Sequence, residues 1–124
     1  MKPVFIHLDV LWEKNKDTEW PDWHITPHMF DNKDQYLYYF SIYGLEREFK
    51  EDLETIEYWT EFYKKSTIQN MLDNKDSWIM VYFNYEKYDD FIIHDGYHRL
   101  TGARLARKNI IVATFDVGPY KQGK

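Results

Sequence analysis

The stretch from Phe91 to Val117, FIIHDGYHRLTGARLARKNIIVATFDV, constrains the fold more than any other part of the chain. An apolar, β-rich run (Phe91–His94) breaks at Asp95-Gly96, a helical stretch follows over His98–Lys108, and a second β-rich run closes at Ile110–Val117. Glycine permits backbone turns that are closed to other residues, so Asp95-Gly96 ends the strand sharply. The first N–H groups of a helix have no acceptor behind them and carry partial positive charge. A helix start at about His98 is therefore a natural place for a phosphate. His98 and Arg99 fall in the first turn and are expected to close on that anion from either side. Gly102, Ala103 and Ala106 leave a narrow face, expected to lie close against the sheet, and Arg104, about a turn and a half further on, is expected to point elsewhere.

Base usage sharpens this reading. The chain has 12 Lys and only 4 Arg, and Arg99, Arg104 and Arg107 lie within nine residues. Guanidinium is preferred where planar, bidentate recognition of an oxyanion matters. Charge is also uneven: residues 1–95 carry a net −10 and residues 96–124 a net +5, giving −5 for the whole chain. An acidic body with a small basic end argues against general duplex DNA binding and fits a compact anion held at one place.

Length and composition bound the rest. At 124 residues the chain is expected to be a single domain, 1–124, with a core large enough to need no disulfide or metal staple. It has no cysteine, which excludes a cysteine nucleophile or cysteine-ligated metal and fits a reducing compartment. The amino-terminal sequence lacks the pattern of a signal peptide, and no segment has the ~18 consecutive apolar residues of a membrane span. A soluble, cytoplasmic protein without membrane contact is expected.

Along the chain, Val4–Val10 reads as a first strand and residues 13–35 as an irregular connection packed on the core by Trp12, Trp20 and Trp23. Gln35–Tyr43 reads as a strand, with helix the alternative at this length. Apolar residues at 45, 49, 53, 56, 59, 63, 68 and 72 predict one helix over 45–72 with acidic residues at its start, broken by Asp73–Asp76. Strands follow at Trp78–Phe83 and Phe91–His94, joined through Asn84–Asp90. This order predicts a single small α+β domain, a mixed sheet with packed helices.

The segment Asp95-Gly96-Tyr97-His98-Arg99, with its flanking strands and small-residue helix, resembles the signature region of the ParB/sulfiredoxin superfamily. The nearest variant is the Asp-Gly-His-His-Arg of free serine kinases and related ParB-like domains. The resemblance covers about a quarter of the chain, the first strand more loosely, and implies a ParB/sulfiredoxin-like fold carrying a helical insertion at 45–72. It further implies a nucleotide (ATP, ADP or CTP) with Mg2+ at this turn. Gly96, Tyr97, His98 and Arg99 would contact the nucleotide and its phosphates, Asp95 would act on the metal or the acceptor, and Asp95 with His98 would be catalytic. Tyr97 stands where sulfiredoxins have a cysteine, so their thiol chemistry is excluded.

The expected function is phosphoryl hydrolysis or transfer from a nucleotide. One alternative is a non-catalytic inhibitor or adaptor on the same fold, phage or mobile-element encoded, meeting a protein partner through exposed residues among Tyr36, Tyr38, Tyr39 and Tyr43. The Lys-over-Arg bias and the three alanines point to an AT-rich source. A second alternative, a small ParB-like nuclease, is disfavoured by the acidic balance. Two histidine pairs four apart, His24/His28 and His94/His98, are poor metal sites because Pro27 interrupts the first and a turn the second. Glu46, Glu48, Glu51 and Asp52 offer a general base or Mg2+ ligand, although an acidic first turn more often only matches the helix dipole.

Overall fold

The computed structural model describes residues 2–19, 25–84 and 87–116. Among these it is a small α+β fold with a four-stranded mixed sheet and five α-helices. Strand β1 (Pro3–His7) leads into α1 (Leu8–Asn15), and after a 3-10 turn at Pro27–Asn32 come α2 (Lys33–Ile42), α3 (Glu46–Lys65) and α4 (Ile68–Asp73). A second 3-10 turn (Lys75–Ser77) precedes β2 (Ile79–Asn84), β3 (Lys87–Asp95), α5 (Tyr97–Leu105) and β4 (Ile110–Asp116). The sheet order is β1-β4-β2-β3. β4 lies antiparallel to β1 and parallel to β2, which pairs antiparallel with β3. No helix among the described residues is long and apolar enough to cross a membrane.

Two buried clusters hold these elements. In the first, alternate sheet residues (Ile79 and Val81 of β2, Ile111 and Ala113 of β4) meet Leu8, Leu11 and Trp12 of α1, Tyr63 of α3 and Leu100 and Ala103 of α5. The second, Ile25, Phe30, Phe40, Phe49 and Ile56, lies under α2 and the first half of α3. Tyr97, at the start of α5, packs against both, so the Asp95–Arg99 turn sits where the two clusters join.

The structure departs from the sequence reading in β3, which begins at Lys87 inside the expected Asn84–Asp90 connection, and in four places earlier in the chain. The first strand stops at His7, because Leu8, Leu11, Trp12 and Asn15 bury one face of a helix. Residues 33–42 are helical, not a strand: the segment is aromatic all round, and Phe40 stacking on Phe49 of α3 (5.3 Å between centroids) settles the choice. The expected helix over 45–72 is two helices. Ser66 and Thr67 are extended, and Thr67 starts α4 through a capping box, its hydroxyl accepting from Asn70 N–H (3.1 Å) and its own N–H donating to Asn70 Oδ1 (2.9 Å). Within the expected 13–35 connection, α1 runs on to Asn15, and a 3-10 turn and the start of α2 fill residues 27–35. Trp20, Trp23 and His24 lie outside the described residues.

Asn15 is buried on α1 and acts as a bracket for β3. Its Nδ2 donates to Phe91 C=O (2.9 Å) and its Oδ1 accepts from Ile93 N–H (3.1 Å), so two backbone groups of an edge strand find partners across the core. β3 thereby delivers Asp95 to a fixed place.

Candidate functional site

β3 ends at Asp95, Gly96 makes the turn, and α5 begins at Tyr97. Gly96 has φ +131° and ψ 21°, a conformation that L side chains rarely adopt. Sterics add a second reason for glycine: a Cβ here would stand 3.0 Å from Ile79 Cγ2 and 3.3 Å from Ile79 Cα. The first intrahelical bond runs from Leu100 N–H to Gly96 C=O (2.8 Å). The N–H groups of Tyr97, His98 and Arg99 therefore point out of the helix start, at the positive end of its dipole.

Successive helical residues diverge by about 100°, and the side chains of the turn separate accordingly. Arg99 turns toward the start of β2. It pairs with Asp95 (Nη2–Oδ2, 3.0 Å), donates from Nη1 to the carbonyls of Trp78 and Asp76 (3.2 Å to Asp76), and lies 5.9 Å from the Trp59 ring centroid. Its side chain is 14 % exposed against 64 % for Asp95. Both line a cleft of about 440 Å3 with Lys75, Asp76, Trp78, Met80 and Thr114. Two cations and two carboxylates thus face one another across it. Arg99 also acts on Tyr63, whose phenol is pushed up by burial, an effect the guanidinium partly offsets.

His98 leaves the helix on another side, toward α3. Its Nε2–H donates to Asp52 Oδ1 (2.8 Å), and the Asp52 side chain is 18 % exposed. Asp52 Oδ2 and, one helical turn earlier, Glu48 Oε2 are buried with no hydrogen-bond partner among the described residues. Buried unpaired acceptors are costly, so an acidic pair of this kind beside an imidazole is unusual. Glu46 and Glu51 face solvent, paired with Lys50 (3.7 Å) and Arg47 (3.1 Å). The signal that separates the four acids lies in α3's period: Asp52 falls between Phe49 and Ile56 on the inward stripe.

The remaining features disperse. Arg104 stacks over Trp12 (4.3 Å to the centroid) and pairs with Asp31 (3.5 Å). Arg107 closes α5 at φ +60°, with its N–H on Arg104 C=O and Lys108 N–H on Ala103 C=O. Gly102 faces α3 and not the sheet, since a Cβ there would meet Trp59 Cβ at 2.7 Å and Thr60 N at 2.9 Å. The small residue serves a helix–helix approach, which brings Asp52 within reach of His98. His94 stacks on Tyr82 (4.5 Å between centroids), apart from His98. Among the described residues no group of three or more His, Cys, Asp or Glu side chains could hold a metal ion.

Comparison with known proteins returned no matching family profile, curated protein or solved structure.

Proposed function

We propose that the chain is a nucleotide-binding protein of the ParB/sulfiredoxin type, which holds a nucleoside di- or triphosphate at the Gly96 turn and hydrolyses or transfers its terminal phosphoryl group. One observation carries the reading. Asp95 and Arg99 flank a strand-to-helix turn made by a positive-φ glycine and open together on a cleft of about 440 Å3. Such a volume lies within the range of small-ligand sites. The start of α5 is the positive end of its dipole, which suits a phosphate, and Lys75 lines the cleft as a second cation beside Arg99.

Phosphoryl transfer depends chiefly on positioning and charge neutralisation. In this reading Arg99 is held in place by two carbonyls and Asp95 before any ligand arrives, and a phosphate takes over part of the pairing that Asp95 makes with it. Asp95 is the exposed carboxylate of the turn and takes the acceptor's proton or shares a cation with the phosphates. That donor set fits Mg2+ bound jointly with phosphate, since Mg2+ keeps several waters and uses one or two carboxylates. It does not make a cage from protein alone. His98, tied to Asp52 on the α3 side of α5, stands outside the residues that line this cleft and fixes the start of the helix.

The test is thermal unfolding with ATP, ADP, CTP, GTP or inorganic phosphate, with and without Mg2+. A ligand at about a hundred times its Kd stabilises by ~2.7 kcal/mol, roughly 10 °C for a chain of this size. Asp95→Asn should keep most of that shift while cutting phosphoryl release roughly 10²-fold. No shift with any of these ligands at millimolar concentration refutes the reading.

A further inference from the structure

Helix α2 buries little of itself. Only Phe40 is fully buried, while Tyr38 (71 % exposed), Tyr39 (46 %), Ile42 (62 %) and Tyr43 (65 %) face outward. At about 100° per residue these four occupy one arc of roughly 140°, on the side away from Phe40 and Leu37. Neighbouring rings touch: Tyr39 lies 4.9 Å from Tyr43 and 6.3 Å from Tyr36. An exposed aromatic ridge of this kind marks an interaction surface.

Charge decides what fits it, and the acids that flank the ridge in sequence are Asp34 and Glu46, while Asp31, Glu51 and Asp52 are paired with Arg104, Arg47 and His98. Asp34 stands one turn before Tyr38, and Glu46, in a loose exposed pair with Lys50 (3.7 Å), follows Tyr43 across Gly44; both are exposed. The last turn of α2 holds no basic residue, so its negative dipole end, where the tyrosines cluster, is not met by a cation of its own helix. Tyrosine faces themselves attract guanidinium and ammonium groups.

We propose that the outer face of α2 docks an Arg- or Lys-bearing segment of a partner protein, with cations seated on Tyr38, Tyr39 and Tyr43 and held by Asp34 and Glu46. The proposal stands apart from nucleotide binding at the Gly96 turn. Fluorescence anisotropy with a labelled nona-arginine peptide tests it on the full chain, with nona-glutamate as control. The expected result is binding of nona-arginine alone, weakened roughly tenfold or more by Tyr39→Ser with Tyr43→Ser. Glu57→Gln with Glu61→Gln, which remove exposed charge elsewhere on α3, should change it less than twofold. Both are surface changes that leave folding intact. Equal losses in the two double variants would reduce the effect to general acidity and overturn the proposal. So would absence of binding, or sedimentation showing a wild-type dimer that the tyrosine changes dissolve, which would assign the face to a second copy.

Discussion

Replacing Gly102 by alanine should destabilise the protein although it removes a glycine from mid-helix. The added methyl would stand 2.7 Å from Trp59 Cβ, 2.9 Å from Thr60 N and 3.0 Å from Trp59 C. Two of those atoms are backbone and the third is a Cβ, which no χ rotation moves, so α3 cannot yield by a rotamer change. Overpacking of this kind costs ~3 kcal/mol where backbone must shift, against a helix-propensity gain of about 1 kcal/mol. The net expectation is a loss of about 2 kcal/mol. With an unfolding entropy near 2.1 cal/mol/K per residue, Tm should fall by roughly 8 °C. Thermal unfolding followed by near-ultraviolet circular dichroism reads this directly. Because the same α3–α5 seam holds His98 against Asp52, the His98 ring resonances should also move. A variant as stable as wild type, or more so, would refute the close approach and with it the account of how Asp52 reaches the turn.

Two further substitutions probe the surroundings of the site. Arg107→Gly should stabilise by about 0.5–1 kcal/mol, because Arg107 sits at φ +60° where glycine carries no steric penalty; a lower Tm in urea or heat would contradict it. Tyr63→Phe tests the buried phenol, which burial pushes above its usual range and which donates to Ser77 C=O (3.0 Å). The folded chain keeps this proton when the unfolded chain loses it above pH ~10, so wild-type stability should fall with rising pH by up to ~1.36 kcal/mol per unit there. The variant should cost ~1 kcal/mol at neutral pH, and the gap between the two should close above pH 10; a gap that does not change between pH 8 and 11 would be wrong for a buried neutral phenol.

The last third of the chain was legible in its order because its hydrophobic period changes twice around a glycine: the Gly96 turn and β4 fall within a residue or two of their expected places, while β3 begins at Lys87, four residues before the expected Phe91, and α5 ends at Leu105, three before the expected Lys108. The first half was less so. Residues 36–40, Tyr-Leu-Tyr-Tyr-Phe, put apolar side chains on every side, so neither period stands out and packing on Phe49 chose the helix. The break at Ser66-Thr67 is written in a Thr-x-x-Asn capping box, a signal hidden by apolar spacing that runs on through it. For the site, Asp95, Gly96 and Arg99 are contiguous in sequence and could be read together. Asp52 and Lys75 come from elements distant in sequence, and only tertiary packing brings them to α5 and the cleft. The arginine cluster read as one feature has separate duties: Arg99 braces the turn, Arg104 covers Trp12, and Arg107 ends a helix.

The most direct measurement is a 15N-resolved NMR titration of the full chain with ADP and Mg2+. Nucleotide binding at the turn predicts that the backbone amides of Gly96, Tyr97, His98 and Arg99 shift together and saturably, with Lys75 and Asp76 following across the cleft and the α2 tyrosines unmoved. Saturable shifts confined to other parts of the chain, or none at millimolar ADP, would contradict it.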